Sequence, residues 1–206
     1  MEVIMRKTLI IFTVIFFYLT SFFYSCNIKK DSSEDSLDVI KNIDSYSCDC
    51  IIKLKNESGL IEYNTIQHYK KKMGSIIELD KDRIFAYKND KIYVKDLKNK
   101  SKYKLEKDFD EVFKLSILGE YIGLMYTNQD IKVNEKTVNG IEYDVVSLSI
   151  PGVNRNIRKG ELYIDKKGKY PEGLKIFDER GKERITIQYK NFQGNIDIED
   201  ELFNID

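Results

Sequence analysis

The sequence predicts a mostly β, α+β fold: one large, curved antiparallel sheet with one or two helices packed on its concave side. Three observations predict it. Short segments with apolar residues at every second position recur along most of the chain, the signature of half-buried strands. Turn dipeptides such as Asn89-Asp90 and Asn139-Gly140 separate them, and such pairs favour tight hairpins over crossover connections. One central stretch, FDEVFKLSILGEYIGLMYTN at 109–128, changes to helical spacing.

Taken in order, Ser36 suits the N-cap of a short helix, SLDVIKNI, with Leu37, Ile40 and Ile43 on one face. In YSCDCIIKL, Tyr46, Cys48, Cys50, Ile52 and Leu54 then alternate with outward residues. GLIEYNTIQHYKKK, SIIELD, DRIFAYK, KIYVKD and SKYKLEK continue as a meander. In the central helix, Phe109, Val112, Phe113, Ile117, Leu118, Tyr121, Leu124 and Met125 form one broad apolar face. Gly119 and Gly123 there mark a break or a close approach to the sheet, because each weakens a helix by ~1 kcal/mol relative to Ala. Strands resume with IKVNEKTV and IEYDVVSLSI, and ELYID, LKIFDE and RITIQYKNF complete a second meander. Phe203 and Ile205 are late apolar anchors.

The amino terminus points outside the cytoplasm. Arg6 and Lys7 precede an uncharged run, LIIFTVIFFYLTSFFY, close in kind to a secretory signal, whose apolar core is about 7–15 residues. Ser25 and Cys26 follow in the manner of a bacterial lipobox, with Phe23 where Leu is usual. The organisation read from this is a signal peptide at 1–25, a lipidated tether at 26–35 with the lipid on Cys26, and a single domain at 36–206. An uncleaved amino-terminal anchor is the alternative.

Of the 206 residues, Lys+Arg and Asp+Glu number 34 each. With charges interleaved along the chain there is no basic surplus for nucleic acid, and no nucleic-acid partner is expected. Catalytic chemistry is hard to assemble. His68 is the only histidine, and a zinc site needs three or four suitable ligands. No H-E-x-x-H, G-x-S-x-G or phosphate-binding glycine loop occurs. No catalytic residue, metal or cofactor is therefore expected. Cys48 and Cys50 form C-x-C, which on a strand points both thiols to one face. They read as small buried apolar residues, with a disulfide or an intermolecular bridge as alternatives. Arg155, Arg158 and Lys159 follow Pro151-Gly152 in a loop that either binds an anionic group or partner or is simply solvated.

The order of the elements resembles that of a known family. A tether leads to a short helix and the strand IDSYSCDCIIKL, then to a meander, a helix and a second meander. Leu162, Asp165, Pro171, Asp178, Gly181, Asn195, Ile198 and Phe203 fall where LolA/LolB-like proteins place an L-x-x-D strand, a Pro, a D-x-x-G hairpin and a closing N-x-x-I-x-x-x-x-F. Within that family the chain is most similar to the GerS-like spore germination lipoproteins of clostridia. The resemblance implies a LolA-like half-barrel without enzymatic activity, held at a membrane by the lipid on Cys26. It also implies a partner, the cortex N-acetylmuramoyl-L-alanine amidase CwlD, which such a lipoprotein binds and activates so that cortex muramic-δ-lactam forms. Free strand edges would allow a strand-swapped homodimer. The alternative is a lipid or lipoprotein carrier, or an envelope sensor, with an apolar cavity.

Overall fold

The computed structural model describes residues 32–205; Cys26 and the stretch read as a signal peptide lie outside them. The chain divides into two units, Met1–Ser32 and Ser33–Asp206, and the described fold is that of the second. Helix α1 (Ser32–Lys41) leads into β1 (Ser45–Asn56), β2 (Gly59–Lys70), β3 (Gly74–Leu79), β4 (Arg83–Lys88), β5 (Lys91–Asp96) and β6 (Ser101–Glu106). A 3-10 turn (Lys107–Phe109), α2 (Glu111–Ser116) and α3 (Leu118–Thr127) follow. The chain closes with β7 (Lys132–Val138), β8 (Ile141–Ser149), β9 (Lys159–Asp165), β10 (Pro171–Phe177), β11 (Glu183–Gly194) and a 3-10 turn (Asp200–Phe203).

All eleven strands form one antiparallel sheet in the order β6-β5-β4-β3-β2-β1-β11-β10-β9-β8-β7. The two meanders meet where β1 pairs with β11, Cys50 opposite Tyr189 and Ile52 opposite Ile187. This is the predicted curved, open sheet, with three helices among the described residues rather than one or two. The turn chemistry behaves as the sequence indicates. Asn89 and Asp90 have φ of 50° and 59°, and Asn139 and Gly140 have 52° and 81°, the left-handed pair that a two-residue hairpin needs. Irregular register interrupts the ladders at Asn191–Phe192 of β11, between Pro171 and Gly173, and between Ile176 and Phe177. Such bulges bend and twist a strand, and they give the sheet its curl.

Strand alternation sorts side chains to two faces. The inner face carries the predicted Tyr46, Cys48, Cys50 and Ile52, all buried. With Ile40 and Ile43 of the α1 region, Leu118, Tyr121, Ile122 and Met125 of α3, and Leu162, Ile164, Leu174 and Ile187, they form the main apolar cluster. Burying one such large side chain fully is worth about 1.5–3 kcal/mol. A second cluster, Ile77, Phe85, Tyr87, Ile92 and Val94, lines the inner face of β3–β5 beneath Ile117. On the outer face, Ile198 and Phe203 of the closing segment cover Ile76 and Ala86, with Ile205 beside them.

Several local expectations need correction. The first helix begins at Ser32, so Ser36 is not its cap but a buried residue within it. The central helix is two helices. Asp110 caps α2, its carboxylate accepting from the amides of Val112 and Phe113 at 3.0 Å each. The Ser116 hydroxyl then donates to the Phe113 carbonyl at 2.7 Å, and Ile117 turns extended, with φ −74° and ψ 115°. The break therefore falls at Ile117 and not at a glycine. Phe109, expected in the apolar face, lies in the 3-10 turn before the cap and is 77% exposed.

Gly119 is a point of close approach: a Cβ there would sit 2.4 Å from the ring of Tyr69, which is itself stacked on Tyr46 at 5.3 Å. Gly123 faces open space. Gly119→Ala is therefore expected to lower the unfolding free energy in urea by about 1–3 kcal/mol through overpacking. Gly123→Ala is expected to raise it by up to about 1 kcal/mol through helix propensity.

Candidate partner-binding surface

The helical link joins the two far edges of the sheet, β6 and β7. It therefore has to cross the inner face, and its attachments decide what is left exposed beside it. Tyr46 on β1 accepts a hydrogen bond from the Leu118 amide at 3.0 Å and donates to Gln67 Oε1 at 3.4 Å. Gln67 Nε2 donates to the Ser116 hydroxyl at 2.8 Å, and the Tyr189 hydroxyl donates to the Ser116 carbonyl at 3.0 Å. Tyr121 donates to the Val146 carbonyl at 3.1 Å, and its ring lies so near Gly160 that a Cβ there would approach within 2.5 Å. Burial raises the pKa of Tyr46, Tyr121 and Tyr189 above that of a free phenol, so each stays protonated and able to donate.

At the start of α2, Tyr87 donates to Asp110 at 2.7 Å, fixing the helix to β4. Burial, and then the Asp110 carboxylate, push the Tyr87 phenol upward. Between α2, α3 and the loop after β8 lies a cleft of about 520 Å³. Leu115, Leu124, Ile150 and Ile157 give it an apolar floor. Its charged rim is largely satisfied: Lys114 pairs with Asp108 at 3.1 Å, Lys107 with Glu120 at 2.7 Å, and Asn154 Nδ2 donates to Glu111 at 2.6 Å across the opening. Val153, at the lip, is 96% exposed, and the exposed Phe109 directly precedes the α2 cap, Asp110. An apolar floor inside a polar rim has the distribution of groups found at protein–protein interfaces.

The other candidates do not assemble into a site. His68 sits half-buried on the outer side of β2, opposite Ser47 and Ile76, and burial lowers its basicity. Among the described residues no three metal-ligating side chains gather. Cys48 and Cys50 are free, buried thiols, as the plain reading of C-x-C has them. Arg155 lies 3.9 Å from Glu179, Arg158 donates to the Gly152 carbonyl, and Lys159 pairs with Glu161 at 2.7 Å. They diverge, so the loop makes no anion site. The motif residues are structural. Asp165 accepts from the amides of Lys167 and Gly168, and Asp178 accepts from those of Arg180 and Lys182 and from Arg184 Nε at 2.7 Å. Asn195 accepts from the Asp44 amide at 2.9 Å. Sequence alone missed Asp144, which is fully buried on β8 with neither carboxylate oxygen hydrogen-bonded.

Burial pushes the Cys50 thiol from an ordinary 9.0 up to about 12, and Cys48 also upward. Between those values the unfolded state binds fewer protons than the folded one, so stability is full below about pH 9 and falls as pH rises toward 12. Iodoacetamide is expected to leave both thiols unmodified in the native protein at about pH 8 and to label both in denaturant. Rapid native labelling would contradict their burial.

Comparison with known proteins places the fold. The profile of the sporulation protein YdcC-like family matches residues 6–203. No curated protein matches the chain. An uncharacterized conserved protein from Thermus thermophilus is 11% identical, with 85% of this chain and 95% of that one covered and a TM-score of 0.54. A chain in the structure of the CwlD amidase from Clostridioides difficile in complex with the GerS lipoprotein is 27% identical, with 81% and 96% covered and a TM-score of 0.47. The LolA superfamily protein NE2245 from Nitrosomonas europaea is 13% identical, with 84% and 97% covered and a TM-score of 0.40. The fold is shared with the Thermus thermophilus protein, and the chain belongs to the sporulation protein YdcC-like family.

Proposed function

We propose that this YdcC-like chain is a non-enzymatic lipoprotein that binds a cortex N-acetylmuramoyl-L-alanine amidase of the CwlD type and stabilises its active state, so that cortex muramic-δ-lactam forms. The observation that carries the reading is the cleft beside α2. Its floor is apolar, its rim charges are already paired, and Val153 stands almost fully exposed at its lip. Such a surface can exclude water against a partner without stranding a charge. Family membership supports a role in sporulation. The motif order shared with GerS-like lipoproteins supplies the partner's class, and GerS itself is described in complex with CwlD. Activation then needs no acid or base from this chain. A protein that binds only the competent state stabilises it by ~2.7 kcal/mol when present at about 100 times Kd.

Within this reading Cys26 carries the lipid, the residues between it and α1 tether the domain, and the protein is exported to the spore or forespore envelope. Among the described residues no helix is long and apolar enough to cross a membrane. The unpaired edges β6 and β7 are where strands would exchange in a homodimer.

Native mass spectrometry of residues 33–206 with the amidase is expected to show a heterocomplex. Phe109→Asp combined with Val153→Asp is expected to weaken it at least tenfold, or about 1.4 kcal/mol, and His68→Ala to leave it unchanged. An unaffected double variant would move the interface away from the cleft. No heterocomplex, with a bound mass that organic solvent removes, would favour the carrier.

In the full chain, Cys26→Ala is expected to abolish acylation and cleavage there. A variant that still partitions into detergent with the wild-type mass would rule out Cys26 as the lipidated residue.

A further inference from the structure

The chain is formally neutral, yet its charges are not interleaved throughout. Residues 91–107, KIYVKDLKNKSKYKLEK, hold seven lysines and two carboxylates. They form the β5–β6 hairpin at one free edge of the sheet. Both carboxylates are engaged. Asp96 is buried and accepts from Arg83 Nε at 3.3 Å and from the Asn99 amide at 2.8 Å. Glu106 pairs with Lys91, and Lys107 reaches Glu120. For Lys95, Lys98, Lys100, Lys102 and Lys104, no carboxylate of the described residues lies within ion-pair distance.

Their placement works against fold stability. Lys95 lies directly opposite Lys102 in the ladder, and like charges so placed repel. Lys104 lies opposite Tyr93, its ammonium 4.7 Å from the ring centroid. Lysines beside an unpaired edge guard it against strand pairing, which accounts for Lys102 and Lys104. It does not account for Lys95, one strand inward, or for Lys98 and Lys100 in the turn.

The five ammonium groups spread over the outer face and the turn, and none lines any of the three clefts of about 500, 370 and 520 Å³. A discrete anion needs convergent donors; a divergent basic corner fits an extended anionic plane. Leu97, exposed in the turn between the lysines, adds an apolar side chain that can bury at the headgroup boundary. We propose that the β5–β6 hairpin docks on an anionic lipid bilayer. Clusters of about four to eight basic residues bind such surfaces, and the attraction fades beyond a Debye length.

Among the described residues the three apolar clusters fall between Leu37 and Ile205, and Ser33–Asp206 is one compact unit, so residues 33–206 can be tested without the amino-terminal segment and without any amidase. Co-sedimentation would use vesicles of phosphatidylcholine, with and without phosphatidylglycerol, at low salt. Binding is expected only to the anionic vesicles and is expected to vanish at high salt. Replacing all five lysines by Gln is expected to reduce partitioning by about a hundredfold or more, given the usual contribution of each lysine. Replacing them by Arg is expected to preserve it. Should the Gln variant lose its cooperative melt, Lys98→Gln with Lys100→Gln, both in the turn, is expected to give a tenfold loss, to order of magnitude (~10). Equal binding by the Gln variants, or no wild-type binding to anionic vesicles, would overturn the proposal. Binding to soluble polyglutamate but not to vesicles would also overturn it, and would assign the hairpin to an acidic polypeptide.

Discussion

The buried hydrogen-bond network at Ser116 holds the rest of the structure in register. Tyr46, Gln67 and Tyr189 come from β1, β2 and β11, the three central strands, and all converge on the two residues that flank Ile117. These partners satisfy the backbone groups that a helix break leaves open, and they do so away from water, where an unpaired polar group costs about 1–3 kcal/mol. The kink thus has one low-energy position over the sheet.

That position solves a problem of reach. Edges β6 and β7 are separated by ten inter-strand gaps, about 48 Å in a flat sheet at ~4.8 Å each. The two helices between them, α2 and α3, supply about 24 Å of this at ~1.5 Å per residue, and the turn and loop residues around them must supply the rest. Curling the sheet brings its edges toward each other and makes the crossing easy. The bulges in β9–β11 supply that curl, and the Tyr121–Gly160 and Tyr69–Gly119 contacts show how closely the helices then press on the strands.

The same geometry explains why the surface is available for binding. With the inner face of the sheet occupied by α1, α3 and the kink, the space a carrier would use is filled by Leu118, Tyr121, Ile122 and Met125. What remains open is at the margins: the cleft beside α2, and the lysine-rich hairpin at the β6 edge. One suits a protein partner and the other an anionic plane, and they involve different residues, so both can be engaged at once.

The sequence by itself determined the strands, the tight turns and which face of β1 is buried, because alternation and left-handed Asn-Gly or Asn-Asp pairs act locally. It also limited histidine chemistry to one residue, His68. Only the tertiary structure decided the helix break and the exposure of Phe109. The 109–128 stretch has continuous helical periodicity, and nothing in it announces that Gln67 and Tyr189 will claim Ser116. On β2, Thr65 and Gln67 point inward while Ile66 points out and is exposed, which reverses what hydropathy suggests. A buried polar network depends on partners brought together from distant parts of the chain, and that pairing has no local signature.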